Sequence, residues 1–248
     1  MTINRLTRIT MLTAGMLILQ ACDSGSDATP VPQPPPPPPP PAMVSFDVSI
    51  SNLTNAQPLS PAAVIAHNSD YAVFEVGVAA TVGLEELAEG GSNTALIADA
   101  DADANSVFAT ASGAAPVGPA GSETVSISLL ESDLAALRLS VATMLVNTND
   151  AITVLNGLDA SSMAIGDSVT LNAIAYDAGT EFDSESASDI PGPAGGGEGF
   201  NAVRDDEDDR VAMHPGIVSR SDGLVGSDLT EQHRFDNPVM RVRIERTQ

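Results

Sequence analysis

Carboxylate side chains follow two apolar segments of the chain, and their positions suit the binding of a metal ion. Asp150 comes just after the apolar residues 139–146, and Asp177 and Glu181 come just after residues 169–175. In a sandwich, loops from neighbouring strands meet at one end, so three carboxylates from two loops can form the oxygen cage that Ca²⁺ prefers. Mg²⁺ is less expected there. The alternative is that these residues only shape turns, because Asp-x-Gly and Asn-Asp are ordinary turn and strand-end signals.

The chain around these segments has the pattern of short strands. Apolar and polar residues alternate at residues 44–51 and 240–245, which predicts a half-buried strand at each end of a domain. Clusters of Gly, Pro, Asn and Asp separate the segments between them. This spacing favours an all-β antiparallel sandwich. Further strands are predicted at residues 71–76, 125–129, 139–146 and 169–175.

Two segments are predicted to be helical, and two are interpreted as loops. Residues 83–89, followed by Gly90-Gly91, predict a two-turn helix that ends at a glycine cap. Residues 132–137 predict a short helical turn before the next strand. Residues 99–105 have acids at alternate positions, and residues 184–209 are rich in Gly, Pro and acids. Both of these are expected to be loops that pack no core.

The composition limits the possible partners. The chain has 33 acidic residues against 10 basic ones, all of them arginine, and a formal net charge of −23. Nucleic acid and anionic membrane surfaces are poor partners, because phosphate-rich partners require a basic patch. The chain is 43% hydrophobic but only 3% aromatic, so it can bury an aliphatic core, which argues against wholesale disorder.

The N-terminus predicts export. Residues 1–21 contain two arginines, an apolar run at residues 9–19 and a Leu-Gln-Ala box before Cys22, which are the regions of a secretory signal. The run is short for a membrane span. A signal that closes on Leu-x-Ala-Cys resembles the bacterial lipoprotein type, which implies that Cys22 is lipidated and anchors the mature chain to a membrane. The alternative is an ordinary cleaved signal with an incidental cysteine.

The residues after Cys22 predict a tether and then one domain. Asp23 suggests retention in the inner membrane, by the sorting rule of enteric bacteria. Residues 22–43 include eight consecutive prolines at 34–41, which lack backbone donors and predict a semi-rigid spacer. The predicted organisation is a lipoprotein signal peptide at 1–21, a disordered Pro-rich tether at 22–43 and a sandwich domain at 44–248. The protein would face the periplasm or the exterior of a bacterial envelope.

Seven stretches, in order along the chain, carry a family resemblance that spans nearly all of residues 46–246. They are residues 50–61 with His67 after them, Phe-Glu-Val-Gly at 74–77, residues 83–90, residues 139–150 with their Met-Leu-Val-Asn-Thr-Asn-Asp core, Ala-Tyr-Asp-Ala-Gly-Thr-Glu at 175–181, Ile-Pro-Gly-Pro at 190–193 and Asn-Pro-Val at 237–239. With these stretches the chain resembles the spondin domain, a module of extracellular matrix proteins and of many bacterial exported proteins.

The resemblance implies a β-sandwich like that of calcium- and lipid-binding modules, with one Ca²⁺ held by acidic loop residues. It implies Asp150, Asp177 and Glu181 as ligands, with backbone carbonyls and water completing the coordination. Glu181 departs from the animal proteins, which have Asp at this position, so the longer side chain affects geometry and affinity. The chain has no room for the thrombospondin-type repeats and reeler domain of animal spondins, so their adhesion function transfers poorly.

Two other groups of residues resemble known kinds of site, an EF-hand loop and a histidine-containing site, but match them poorly. Residues 99–105 resemble the start of an EF-hand loop, but Ala104 stands where Gly is required and Thr110 where Glu is required. His67 and His214 could converge with acids, although a hydrogen-bonded structural role is the commoner one. No nucleophile elbow, Walker loop or dinucleotide motif occurs in the sequence.

These observations lead us to expect a non-enzymatic, lipid-anchored cell-envelope protein with one calcium-binding spondin-like domain. Its role would be adhesion, scaffolding or binding of an extracytoplasmic protein or glycan. One alternative is an envelope hydrolase or small-ligand binder that uses His67, His214 and nearby acids. Another is a structural envelope protein without a metal.

Overall fold

The computed structural model describes residues 36–203 and 209–248. The predicted signal peptide with Cys22 and Asp23, most of the tether, and acidic residues 205–208 lie outside the described residues. The chain divides into residues 1–39 and residues 40–248. Residues 36–42 have no regular secondary structure, and within the described residues no helix is both long and apolar enough to cross a membrane.

The described part of the second unit consists mainly of strands. The strands are β1 (Met43–Asn52), β2 (Ala63–His67), β3 (Val107–Ser112), β4 (Ser122–Leu130), β5 (Arg138–Met144), β6 (Ala151–Asp159), β7 (Ser168–Ala173), β8 (Ala175–Asp177), β9 (Ala212–Met213) and β10 (Met240–Arg246). The helices are α1 (Val82–Gly90) and α2 (Thr94–Ala102), with short 3₁₀ helices at Glu131–Ala136, Arg220–Asp222 and Glu231–His233.

The alternating segments form a four-stranded antiparallel sheet in the order β4-β1-β10-β7. Every second residue of β1, from Val44 to Ile50, is buried. Ile50 lies opposite Val242 of β10, so the first and last strands of the domain are neighbours. The strands predicted at both ends of the domain and at residues 125–129 are therefore confirmed.

The other six strands form a second antiparallel sheet in the order β3-β2-β5-β6-β8-β9. All of β2 and the first four residues of β6 are buried. Strands that are buried on both faces lack the alternation that predicts a strand, and neither of these was predicted. The strands predicted at residues 139–146 and 169–175 are confirmed as β5 and as β7 followed by β8.

Apolar side chains pack on both faces of the six-stranded sheet. The main core lies between the two sheets and includes Phe46, Leu139 and Val242. A second cluster lies on the other face of the six-stranded sheet, where Leu87 of α1 packs with Ile152 of β6. The protein is thus an all-β antiparallel sandwich with two short α-helices, as the sequence predicted.

Helix α1 and the 3₁₀ helix at Glu131–Ala136 confirm the two predicted helical segments. The Thr81 hydroxyl accepts the Leu84 N–H at 3.3 Å where α1 begins. Gly91 caps the other end in a left-handed conformation and donates its N–H to the Leu87 carbonyl. The predicted glycine cap is therefore present.

The structure corrects the interpretation of residues 99–105 as a loop without core contacts. Residues 99–102 belong to α2. Leu96 and Ala100 lie four residues apart on this helix and are both buried in the second apolar cluster, while Asp99 and Asp101 are exposed. The helical pattern of apolar residues was hard to recognise here, because acids occupy alternate positions and the residues between them are small alanines.

Two further expectations are wrong. Residues 71–76 form irregular backbone with a bend at Val73 and not a strand, and the Val73 N–H donates to the side chain of Asn156. Residues 184–209 were expected to pack no core, yet Ile190 is fully buried in a third apolar cluster with Ile217 and Leu229. The long excursion between β8 and β10 therefore has a small core of its own.

Candidate metal centre

The turn between β5 and β6 places Asp150 at the base of the candidate site. The Thr148 hydroxyl fixes this turn, because it donates to the Leu145 carbonyl at 2.6 Å and accepts the Ala151 N–H at 3.0 Å. Asp150 directly precedes β6, and it is 0% exposed. A carboxylate is rarely buried to this extent unless it is paired or coordinates a metal.

Strand pairing brings a second predicted ligand to the same place. Asp177 is the last residue of β8, and it lies opposite Ala151 of β6. Its carboxylate accepts the Gly179 N–H at 2.7 Å, which turns the chain immediately after the strand. Asp150 and Asp177, predicted from two separate strand ends, therefore lie side by side.

The segment after this turn, residues 180–185, is fastened to the Asp150 turn at both of its ends. At one end, the Thr180 N–H donates to Asp150 Oδ2 at 2.8 Å. At the other end, the Glu185 N–H donates to the Asn149 side-chain oxygen at 3.2 Å. Residues 181–184 are therefore held close to the buried carboxylate.

Asp183, in the middle of the 180–185 segment, completes an acidic cluster with Asp150 and Asp177. One carboxylate oxygen of each residue lies within 4.8 Å of the other two. Asp150 Oδ1 is buried and has no hydrogen-bond partner among the described residues, while Oδ2 accepts the Thr180 N–H. A buried acceptor without a donor costs about 1 to 3 kcal/mol. Three carboxylates around such an atom fit a hard cation with oxygen ligands.

The charges of the cluster are unfavourable to one another. Burial raises the pKa of Asp150 above its ordinary range, and the nearby charges of Asp177 and Asp183 raise it further, while hydrogen bonds from Thr180 and Glu181 lower it. A bound cation would reverse this balance, because an opposite charge favours the ionised carboxylate. The metal-free cluster thus resists full ionisation, and a cation would relieve it.

Glu181, the third predicted ligand, lies outside this cluster among the described residues. Its side chain lines a cavity of about 350 Å³ together with Glu89, Asp189 and Glu198. Burial, followed by the charges of Glu89, Asp150 and Asp189, raises the pKa of Glu181 to about 8. The structure therefore brings Asp150 and Asp177 together and places Glu181 beside them in the cavity wall.

The sequence analysis missed Asp183 as a candidate ligand. The signal that could have suggested it is another acid two residues after Glu181 in the same loop. Four acids lie between residues 177 and 185, namely Asp177, Glu181, Asp183 and Glu185. Their spacing does not show which of them face Asp150, because that depends on how the 180–185 segment is fastened.

The histidines considered for a hydrolytic site have separate surroundings. His67 is fully buried, with its two ring nitrogens 2.6 Å from the Asn68 carbonyl and 2.8 Å from the Ser140 hydroxyl. His214 is 4% exposed and accepts the Gly216 N–H at 2.9 Å. Burial is the main cause that lowers the pKa of both imidazoles. Each imidazole therefore has hydrogen-bonding neighbours that suit a structural role.

Comparison with known proteins gives one family match. The sequence profile of the Spondin_N family matches residues 53–190, which is more than half of the chain. The matched region contains Asp150, Asp177, Glu181 and Asp183. No curated protein matches the chain. Because the match covers more than half of the chain and includes both loops that form the acidic cluster, the chain belongs to the Spondin_N family.

Proposed function

We propose that this protein is a non-enzymatic, lipid-anchored cell-envelope module that binds Ca²⁺ through Asp150, Asp177 and a third carboxylate of the 180–185 segment. The ion would order this segment, which would then contact an extracytoplasmic protein or glycan. Membership of the Spondin_N family indicates an extracellular, adhesion-type module. Calcium binding, the anchor and the partner are the parts of the proposal that go beyond the family.

The observation that carries calcium binding is the buried, unpartnered Oδ1 atom of Asp150 inside a cluster of three carboxylates. The fold keeps this atom from water, and the part of the chain that the structure describes gives it no donor, although its other oxygen accepts the Thr180 N–H. Such an arrangement is costly unless a cation occupies the position that the carboxylates share. Asp150 and Asp177 would thus be ligands.

Ca²⁺ fits this donor set better than Mg²⁺. Ca²⁺ accepts about 6 to 8 oxygen ligands in flexible geometry, whereas Mg²⁺ demands a near-ideal octahedron and usually keeps several waters. The carboxylates of Asp177, at the end of β8, and of Asp183, in the loop after it, belong to half-buried residues. Backbone carbonyls and water can therefore complete the coordination of a large ion.

The surface next to the cluster supports a role in binding a partner. Phe182 is 53% exposed although it stands between Glu181 and Asp183. Val203, which lines the same cavity as Glu181, is 73% exposed. Exposed apolar side chains with polar neighbours often mark interaction sites. An ion that fixes the 180–185 segment would also fix Phe182, so partner binding would depend on calcium.

The lipid anchor is tested by the localisation of a Cys22→Ser variant. Cys22 is the only cysteine of the chain, and a net charge of −23 gives no attraction to an anionic membrane. We expect the wild-type protein in the membrane fraction of cells and the variant in the soluble fraction. Retention of the variant in the membrane fraction would contradict the anchor.

Calcium binding is tested by calorimetric titration of the purified protein with CaCl₂. Wild type should bind one ion per chain with saturable heat, and Asp150→Asn and Asp177→Asn should each abolish the heat, because each removes a ligand charge with little change of shape. Absence of binding by the wild type would overturn the proposal and favour a structural protein without a metal.

A matched control for these variants is Asp70→Asn, which removes the same charge from an exposed loop. Asp70 follows His67, the last residue of β2, which lies opposite Arg138 of β5. Arg138 in turn lies opposite Asp159, at the end of β6 away from Asp150. This variant should bind Ca²⁺ like the wild type, which separates ligation from a general loss of negative charge.

A further inference from the structure

We infer that Asp183, and not Glu181, supplies the third carboxylate to the ion at this site, and that Glu181 belongs to the wall of the adjoining cavity. This inference rests on the proposed calcium binding and specifies its ligand set. Glu181 and Asp183 are separated by one residue, so the sequence allows either of them to be the ligand.

The first support is the geometry of the cluster. The carboxylate oxygens of Asp150, Asp177 and Asp183 lie within 4.8 Å of one another, a spacing at which a single ion can contact all three. A second, independent observation is that the buried Oδ1 atom of Asp150 accepts no hydrogen bond from the described residues, so a cation would satisfy it. Glu181 does not belong to the group that meets this spacing among the described residues.

The second support is the backbone around Asp183. The Ser184 N–H donates to the Phe182 carbonyl at 2.6 Å, which makes a tight turn with Asp183 at its centre. The Ser184 hydroxyl is held between the Asn149 amide at 3.3 Å and the Asp189 carboxylate at 2.5 Å. The turn is thus tied to the residue that precedes Asp150, and it keeps Asp183 beside the buried carboxylate.

The third support is the position of Glu181. Its backbone N–H donates to Asp150 Oδ2 at 3.3 Å, so its main chain already serves the cluster. Its side chain lines the cavity with Glu89, which lies on α1 and is only 3% exposed, and with Glu198. The Glu181 carboxylate is hydrogen-bonded to the Asn149 side chain among the other acids of this wall, whereas the Asp183 carboxylate already lies within the cluster.

The experiment compares two isosteric variants, Asp183→Asn and Glu181→Gln, by calorimetric titration of the purified protein with CaCl₂. At a pH above about 8, where Glu181 is also ionised, each removes one negative charge from positions two residues apart, so the loss of long-range attraction is similar in both. Removal of a direct ligand should lower the calcium affinity at least about tenfold more than removal of a neighbouring group that only supports the site. We therefore expect Asp183→Asn to weaken binding by that additional factor.

A second pair, Asp183→Glu and Glu181→Asp, keeps the charge and changes only the length of the side chain. Asp183→Glu should weaken calcium binding, and Glu181→Asp should leave it within about twofold of the wild type, because only a direct ligand is sensitive to reach. Circular dichroism of each metal-free variant checks that the sandwich is intact. If an amide variant does not fold, this charge-preserving pair still tests whether Asp183 or Glu181 is the ligand.

The outcomes separate the two proposals. If the wild type binds Ca²⁺ and Glu181→Gln loses as much affinity as Asp183→Asn or more, the assignment of Asp183 is overturned and calcium binding stands. If the wild type does not bind Ca²⁺, both are overturned. Selective loss in the two Asp183 variants establishes the assignment.

Discussion

The Thr180 N–H donates a 2.8 Å hydrogen bond to Asp150 Oδ2 across 30 residues of sequence. The Thr180 hydroxyl lies 3.3 Å from the same oxygen. One oxygen of Asp150 therefore fastens the loop after β8, while the other, Oδ1, has no donor within residues 36–203 and 209–248. The same carboxylate joins two loops and offers a free oxygen to a cation, so occupation of the site and order of the 180–185 segment should be coupled.

We expect Ca²⁺ to stabilise the folded protein. A ligand that binds only the folded state at 100 times its Kd raises the free energy of unfolding by about 2.7 kcal/mol. The measurement is the thermal midpoint in excess CaCl₂ and in excess chelator. Asp177→Asn should have equal midpoints in the two solutions, while Asp70→Asn should keep the wild-type difference; a calcium-induced shift that survives in Asp177→Asn would place the ion elsewhere.

Asp150→Asn should not destabilise the metal-free protein. Its side-chain oxygen can still accept the Thr180 N–H, and the amide removes one charge from a buried cluster in which burial and the neighbouring acids disfavour ionisation. At pH 8 with chelator, we expect the variant to be more stable than the wild type by at least about 1 kcal/mol. This follows because the pKa of Asp150 is raised by more than one unit, and each unit corresponds to about 1.4 kcal/mol.

Urea unfolding of the two proteins measures this difference. With Ca²⁺ added the order should reverse, because only the wild type gains stability from the ion. A metal-free variant that is clearly less stable than the wild type would show that Asp150 has a structural partner which the cluster geometry does not account for.

His214 should make stability depend on pH. Burial lowers the pKa of its imidazole to about 4, against an ordinary value of 6.5. As pH falls below 6.5 the unfolded chain takes up the proton first, so the free energy of unfolding decreases until pH 4, by about 3 kcal/mol over the whole window. Above pH 6.5 this contribution is fully present and constant.

The measurement is urea unfolding of the wild type and of His214→Asn at several pH values from 4 to 7. Asparagine can still accept the Gly216 N–H, which His214 Nδ1 accepts at 2.9 Å, but it does not titrate in this range. The acids of the protein are common to both, so the difference between them reports His214. Parallel pH profiles would contradict the prediction, because they would show that the His214 imidazole has the same pKa in the folded and unfolded states.

Gly179 should be intolerant of any side chain. It has φ +69°, and a Cβ atom there would meet the Arg210 main chain, with the Arg210 nitrogen only 2.8 Å away. Gly166 has φ +88° with open space around it, so Gly166→Ala carries the backbone strain alone. Chemical denaturation should show Gly179→Ala less stable than Gly166→Ala by more than about 1 kcal/mol.

The same pair tests how the loop supports the metal site. Gly179 donates its N–H to the Asp177 carboxylate, so a displaced loop should also weaken calcium binding. Gly166→Ala should bind Ca²⁺ normally. Equal stability of the two variants would show that the loop after β8 can move away from Arg210 without cost.

Tyr176 should report the position of the ion. The chain has two tyrosines and no tryptophan, and Tyr176 directly precedes Asp177 on β8, whereas Tyr71 packs against His67. Tb³⁺ bound in place of Ca²⁺ should be excited through Tyr176, since energy transfer falls steeply with distance. Tyr176→Phe should lose most of the tyrosine-sensitised luminescence and Tyr71→Phe little of it; the opposite result would place the ion at the other end of the sandwich.

The fold could be predicted in part because a strand that is buried on one face alternates apolar and polar residues. β1 and β10 alternate between buried apolar and more exposed polar residues, so their period of two is visible. β2 is buried on both faces, by the main core and by the helices, and so carries no such mark. Helix α2 was hidden for a related reason, since only Leu96, Ala100 and the half-buried Ile97 contribute to its apolar face.

The sequence by itself determined the fold family, the aliphatic sandwich and two of the acids that meet, because Asp150 and Asp177 stand at the ends of recognisable strands. The tertiary structure decided which further acid joins them. Hydrogen bonds from Thr180 and Glu185 to the Asp150 turn direct Asp183 toward the cluster and leave Glu181 in the cavity wall. Contacts between residues some 30 positions apart depend on how two loops fold together, and local sequence patterns do not encode that geometry.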